Sequence, residues 1–276
     1  MSELFEADVL AIAAHRDDVE QTCGGTLLRM SARGLRTAIL DLTQGEAGTR
    51  GTAEQRAAEA QEAARLLGVG WRGALDLPDG NVENTYENRL KIAAVVRQLR
   101  PRVVILPYGQ ARHPDHAKTA PLGYEACFLA GLAKLKIEPS ETAKSADSRI
   151  GGSPAGMQRD GEVVADGLDG PDSSPPPYRP FKIVYASLYA DVRPSFVVDI
   201  SAFIEQRHAA LMAYQSQYAN QQTGGGLFVP EEEIRERTFA EARHYGQLAG
   251  VRYGEPFRQN EVGLVDDLTL IPVQSI

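Results

Sequence analysis

Three short, almost wholly apolar runs set the tightest limit on how this chain can fold: 7–14 (ADVLAIAA), 37–43 (TAILDLT) and 102–107 (RVVILP). Such runs suit strands buried on both faces, which belong to parallel sheets covered by helices. Helical segments lie between them. Residues 24–33 read as a helix stopped at Gly34, and Thr52 to Gly68 as a helix opened by a capping box of Thr52 and Gln55. Ala74 to Leu77 reads as a short third strand, 86–100 as a helix ended by Pro101, and 116–135 as a further helix. This alternation predicts an α/β fold, a Rossmann-like, mainly parallel sheet with helices on both faces. Right-handed crossovers then make the first and fourth strands neighbours where strand order reverses. Ligands bind at the carboxyl ends of the strands there.

The pattern breaks over 138–178, which is rich in Gly, Ser and Pro and poor in large apolar residues. It reads as a flexible surface insertion in a single domain spanning 1–276. Beyond it, Phe181 to Tyr189 and Ser195 to Ile200 read as strands, Ser201 to Tyr218 as a helix with Ser201 as N-cap, and Glu231 to Leu248 as another.

A net charge of −8 makes nucleic acid or an anionic membrane a poor first partner, and no apolar run is long enough to span a bilayer. The acidic N-terminal segment lacks the basic start and apolar core of a signal peptide. Cys23 and Cys127 form no C-x-x-C pair and read as reduced thiols of a cytoplasmic protein.

Chemistry gathers at two places. Ala14-His15-Arg16-Asp17-Asp18 follows the first strand, and Arg112-His113-Pro114-Asp115-His116 follows the fourth. The expected topology sets these strand ends side by side, so the clusters should face each other. Together they hold three of the chain's five histidines. A lone His or an Asp pair is more often a satisfied polar group or a helix cap. The joint supply of imidazoles and carboxylates fits a hydrolytic metal site, which needs N or O ligands, an open position, an unligated base and an oxyanion donor. His208 and His244 read as surface or packing residues, and Trp71 and Tyr86 as packing residues. Gly24-Gly25 lacks the surroundings of a phosphate loop and reads as a tight turn with close backbone approach beside the metal.

A-H-R-D-D followed by C-G-G-T-L, together with R-H-P-D-H, resembles the two metal motifs of the LmbE-like (PIG-L) N-acetylglucosamine deacetylases. Asp41-Leu42-Thr43, Gly45-Glu46, Gly48-Thr49-Arg50-Gly51-Thr52, Arg56, Leu77-Pro78-Asp79-Gly80, Glu83-Asn84-Thr85 and Ser216-Gln217-Tyr218 resemble the bacillithiol-biosynthesis branch, which deacetylates N-acetylglucosaminyl malate. The resemblance implies a cytoplasmic, zinc-dependent amide hydrolase, with Fe²⁺ or Co²⁺ as other metals suited to such ligands, acting on a small N-acetylated sugar and forming a homo-oligomer, in some relatives a hexamer. It implies His15, Asp18 and His116 as metal ligands and Asp17 as the base. His113 would be the protonated oxyanion partner, Asp115 would hold the tautomer of His113, and Arg56 and Arg112 would contact substrate. Alternatives are the same chemistry on a mycothiol precursor or a chitin fragment, and a non-catalytic metal- or nucleotide-binding module. Arg16 stands where relatives often carry a small residue or Pro, and should be tolerated, with altered anion attraction. The place of the relatives' mobile tyrosine falls near Ile234 and Phe228, so no oxyanion tyrosine is assigned.

Overall fold

The computed structural model describes residues 5–144, 150, 174–187, 192–219, 230–271 and 273. Its strands are β1 (Val9–Ala13), β2 (Thr37–Asp41), β3 (Trp71–Ala74), β4 (Val103–Pro107), β5 (Lys182–Ala186), β6 (Phe196–Asp199) and β7 (Gly254–Arg258). They form one sheet in the order β3-β2-β1-β4-β5-β7-β6. β1 to β5 run parallel, and β7 pairs antiparallel with both β5 and β6. Strand order reverses between β1 and β4, as expected, so the ends of these strands carry both His clusters.

The helices are α1 (Asp18–Thr22), α2 (Gly24–Ala32), α3 (Ala53–Leu66), α4 (Tyr86–Leu99), α5 (Pro114–Ala130), α6 (Glu141–Lys144), α7 (Ile204–Met212), α8 (Gln215–Tyr218) and α9 (Glu231–Leu248). They cover both sheet faces because successive residues of each strand point to opposite sides. Leu10, Ile12, Leu40 and Leu106 pack with Ile92, Val96 and Leu122 on one face. Val9, Ala11, Ala13, Ile39 and Ile105 pack with Leu27 and Leu67 on the other. None of the described helices is long and apolar enough to cross a membrane.

Several sequence expectations need correction. The third strand is Trp71–Ala74, not 74–77. Arg72 hid it, because a charged residue inside a largely buried strand breaks the apolar pattern. The expected helix over 201–218 is divided into α7 and α8, and Ser201 does not cap it. Ser201 Oγ instead donates to Asp199 Oδ1 at 2.6 Å, closing a turn directly after β6. β7 was not foreseen, since Glu255 and Pro256 lie inside it. Trp71 is fully buried, whereas Tyr86 is exposed. Residues 145–149 and 151–173, most of the expected insertion, lie outside the described residues.

Glu255 explains the Gly-Gly pair. α2 has no side-chain N-cap of its own, and the Glu255 carboxylate takes the Gly25 and Thr26 N–H groups at 2.9 and 2.6 Å. A Cβ on Gly25 would lie 2.9 Å from Glu255 Oε1 and from Ile200. The close approach is therefore to β7 and Ile200, not to the metal cluster.

Arg72 is the second buried device. Its guanidinium meets Asp41 at 2.9 and 3.0 Å and Glu20 at 2.6 Å. It also donates to the carbonyls of Ala60 and Arg16. Burial pushes the Glu20 carboxyl up to about 7, against the pull of Arg72. Removing one partner of such a group strands the other charges in the interior. Arg72→Ala should therefore destabilise the chain by about 3–5 kcal/mol, read from urea unfolding; a change within experimental error would show that the network is not structural.

Candidate metal centre

The first cluster is shaped by the turn from β1 into α1. Thr43 Oγ1 donates to the Ala14 carbonyl at 3.0 Å, and both Arg72 and Tyr214 donate to the Arg16 carbonyl. Arg16 itself is 6% exposed and donates to the Ala53 carbonyl at 3.2 Å. It packs inward instead of drawing anions from solvent. The second cluster opens α5. Pro114 stands in its first turn, and the His113 ring nitrogen Nδ1 accepts the Asp115 N–H at 3.2 Å as the N-cap contact.

The two clusters meet. His15 Nδ1 lies 3.2 Å from His116 Nε2 and 3.5 Å from Asp18 Oδ2. His116 Nε2 lies 3.1 Å from Asp18 Oδ1. Two imidazole nitrogens and a carboxylate thus converge, a donor set suited to a divalent cation such as zinc. Burial works to lower the His15 pKa, but hydrogen bonds and charges from Asp18 and Asp79 outweigh it and lift the ring to about 11. Burial likewise works to raise Asp18, and the two imidazoles outweigh it and hold the carboxyl low.

Two other triads of ring nitrogens and carboxylate oxygens lie within 4.8 Å: His15, His113 and His116, and His15, Asp79 and Asp115. In the second, Asp115 is already committed. Its Oδ2 accepts the Gly80 N–H at 2.8 Å, and its Oδ1 the Val82 N–H at 3.1 Å. The Asp115 carboxylate faces His15 Nε2 at 3.2 Å, whereas its link to His113 is the backbone N–H. Asp115 thus meets His113 through its backbone N–H, which donates to Nδ1. His113 is exposed, with its ring 4.7 Å from that of His15 and 5.2 Å from that of His116. Burial, then the neighbouring His15 and His116 rings, push it toward the neutral form. With Nδ1 accepting, the neutral ring carries its hydrogen on Nε2.

Asp17 is held by a different set of partners. Its carboxylate accepts from Gln21 at 3.2 Å and from the Tyr218 hydroxyl, and lies 3.5 Å from Arg56 Nη2. Arg56 is 5% exposed and also donates to the Gly45 carbonyl at 3.1 Å. It stands behind Asp17, away from open space. Gly45 has φ +74°, and a Cβ there would lie 2.3 Å from Arg56 Nη1, so glycine is required. Arg112 is exposed on the loop between β4 and α5. Arg50 donates to the Gln217 carbonyl at 3.3 Å, tying that loop to α8. His208 is buried against Phe239, and His244 is exposed. Cys23 and Cys127 are free and buried.

Two residues at this site were not singled out from sequence. Asp79 lies 3.2 Å from His15 Nε2, and Tyr218 touches Asp17. Both belong to stretches that carried the resemblance, but neither motif by itself revealed what its side chain would meet. Phe228 lies outside the described residues, and Ile234 falls in α9.

The proton on His15 has a definite sign. A folded-state value near 11 exceeds the ring's ordinary 6.5. The metal-free fold therefore has this stabilisation in full below about 6.5 and loses it as pH rises through about 11. A cation using Nδ1 must displace that proton. At pH 8, zinc binding should release about one proton per chain, measured with a pH indicator in weak buffer. Release of none would place the cation elsewhere.

The family model described as PIG-L, GlcNAc-PI de-N-acetylase, matches residues 10–127, a stretch that contains both clusters. The chain is similar to the diacetylchitobiose deacetylase of Thermococcus kodakarensis, 29% identical over 265 residues, 91% of this chain and 82% of the relative. It is similar to the 1D-myo-inositol 2-acetamido-2-deoxy-alpha-D-glucopyranoside deacetylase of Rhodococcus jostii, 28% identical over 78% of this chain and 82% of the relative. Its fold matches the crystal structure of the conserved protein TT1542 from Thermus thermophilus, with TM-score 0.72, 38% identity and coverage of 94% of this chain and 98% of that one. On these matches and on the two motifs that meet at the β1 and β4 ends, the chain belongs to the PIG-L, LmbE-like family of de-N-acetylases.

Proposed function

We propose that this chain is a zinc-dependent deacetylase of N-acetylated sugars, and that its substrate is N-acetylglucosaminyl malate, the step that yields glucosaminyl malate in bacillithiol biosynthesis. The observation that carries the hydrolytic reading is Asp17, a carboxylate beside the His15, Asp18 and His116 cluster but held by Gln21, Tyr218 and Arg56. A site that only stored or sensed a metal would have no use for it.

In this reading His15, Asp18 and His116 hold the metal. When bound, the metal supplies Lewis acidity that can lower the pKa of a water from 15.7 to about 7. Asp17 would take the proton of a water as it adds to the acetyl carbonyl, with Arg56 and Tyr218 fixing the orientation of the carboxylate. His113 donates its Nε2 hydrogen to the developing oxyanion. The C–N bond then breaks, acetate leaves, and the proton held by Asp17 passes to the amine. Asp115 supports both histidines, His15 through its carboxylate and His113 through its backbone N–H. Arg112 offers an exposed cation to the malate carboxylates, and the buried Arg56 contributes through Asp17.

The names of the two sugar-deacetylase relatives support a second reading of the substrate, a chitin fragment or an inositol conjugate, with the same chemistry. Exposed Val262, Leu264, Leu268 and Leu270 near the C-terminus support self-association, the expected homo-oligomer. Sedimentation velocity should show a species larger than the monomer, and a monomer at micromolar concentration would refute it.

The functional test is amine release from N-acetylglucosaminyl malate, plain N-acetylglucosamine and diacetylchitobiose, using metal-free and zinc-loaded protein. The expected result is zinc-dependent turnover that favours the malate conjugate. Asp17→Asn should keep zinc and lose about 10²–10⁴-fold in kcat. Preference for diacetylchitobiose would move the substrate to the second reading, and full activity of the variant would remove Asp17 from the base role.

A further inference from the structure

We propose that Asp79 is a positioning residue that holds His15 in its metal-ligating tautomer and couples the metal centre to the loop 44–47. The proposal rests on the metal-centre reading above and concerns a residue to which that reading gives no role.

Asp79 lies between β3 and α4, and its two carboxylate oxygens serve different partners. Oδ1 is 3.2 Å from His15 Nε2. Oδ2 accepts the Ala47 N–H at 3.0 Å. The Asp79 N–H in turn donates to Glu46 Oε1 at 2.8 Å, and Glu46 Oε2 accepts the Gln44 N–H at 3.2 Å. Residue 79 and the loop are therefore bonded in both directions. The loop's Gly45 carbonyl receives Arg56, which also reaches Asp17. A continuous path of polar contacts thus runs from His15 through Asp79, the loop and Arg56 to Asp17.

The chemistry of imidazole gives this path a purpose. His15 can ligate through Nδ1 only when its hydrogen sits on Nε2, and an acceptor carboxylate at Nε2 enforces that tautomer and raises the basicity of Nδ1. Asp115 shares the same nitrogen, but its oxygens also hold the turn at Gly80 and Val82. Asp79 connects the ring to the loop. Asparagine at 79 can keep only one of the two links. With its amide oxygen on the Ala47 N–H, its NH₂ group faces His15 Nε2 and favours the Nδ1–H tautomer, which removes the ligating lone pair. Turned over, it sets two donors against each other at Ala47.

The test compares wild type, Asp79→Asn and Asp79→Glu, each stripped of metal and titrated with zinc against a chromophoric chelator. Amide hydrogen exchange over 44–49 is followed with and without zinc. Wild type should bind a single zinc, and zinc should slow exchange at Ala47. Asp79→Asn should bind about 10- to 100-fold more weakly and lose the slowing, with unchanged exchange in β1 and β4 as the check on the fold. Asp79→Glu, which retains an acceptor, should recover part of the affinity. Wild-type affinity and slowing in Asp79→Asn would overturn the proposal. So would two zincs in wild type and one in Asp79→Asn, since Asp79 would then be a ligand. Absence of zinc binding by wild type would sink the metal-centre reading itself.

Discussion

The buried guanidinium of Arg72 is the constraint on which the site depends. It stands on β3, two strands away from β1, yet it binds Asp41 on β2, Glu20 on α1, the Ala60 carbonyl on α3 and the Arg16 carbonyl between His15 and Asp18. Burying this charge is favourable only because its donors are matched by carboxylates and carbonyls from several elements. That requirement fixes the turn after β1, because the Arg16 carbonyl must face the guanidinium and the Tyr214 hydroxyl. His15 and Asp18, on either side of that carbonyl, then face His116 at the start of α5. The geometry of the surface cluster is set by polar accounting in the core beneath it.

A second buried charge plays a similar part on the other side. Glu255 caps α2 and pairs with Arg207 at 3.2 Å. Arg207 also donates to the carbonyls of Glu20 and Gln21 at the end of α1. The short helix that bears Asp18 is thus held by α7 and β7 from the C-terminal part of the chain. A five-residue helix has little stability of its own. Its fixed position comes from these charge-assisted bonds, and the metal cluster consequently draws on both halves of the sequence.

The parallel half of the fold was legible because its strands are apolar runs and its helices carry caps that act locally, such as Thr52 with Gln55. The pairing of the His clusters followed from topology, since β1 and β4 had to be neighbours. Where long-range polar contacts replace local pattern, legibility ends. Arg72 interrupts the apolar signature of β3, and Glu255 and Pro256 interrupt that of β7, because their partners are distant in sequence. Asp79 sits in Leu-Pro-Asp-Gly, where nothing local reveals that His15 lies 3.2 Å away. Which atoms of Asp115 meet which histidine was likewise not legible. The backbone N–H groups of Gly80 and Val82 turn the carboxylate toward His15.

The central claim is that the cation is held by His15 Nδ1, Asp18 and His116 Nε2, with the other His15 nitrogen facing Asp79 and Asp115. A crystal structure of the zinc-loaded protein, with the metal located by anomalous scattering at the zinc edge, tests it most directly. The expected result is a single peak bonded to those three side chains at about 2.0–2.2 Å, with an open coordination position on the side of His113. A peak bonded to His15 Nε2, Asp79 and Asp115 would contradict the account.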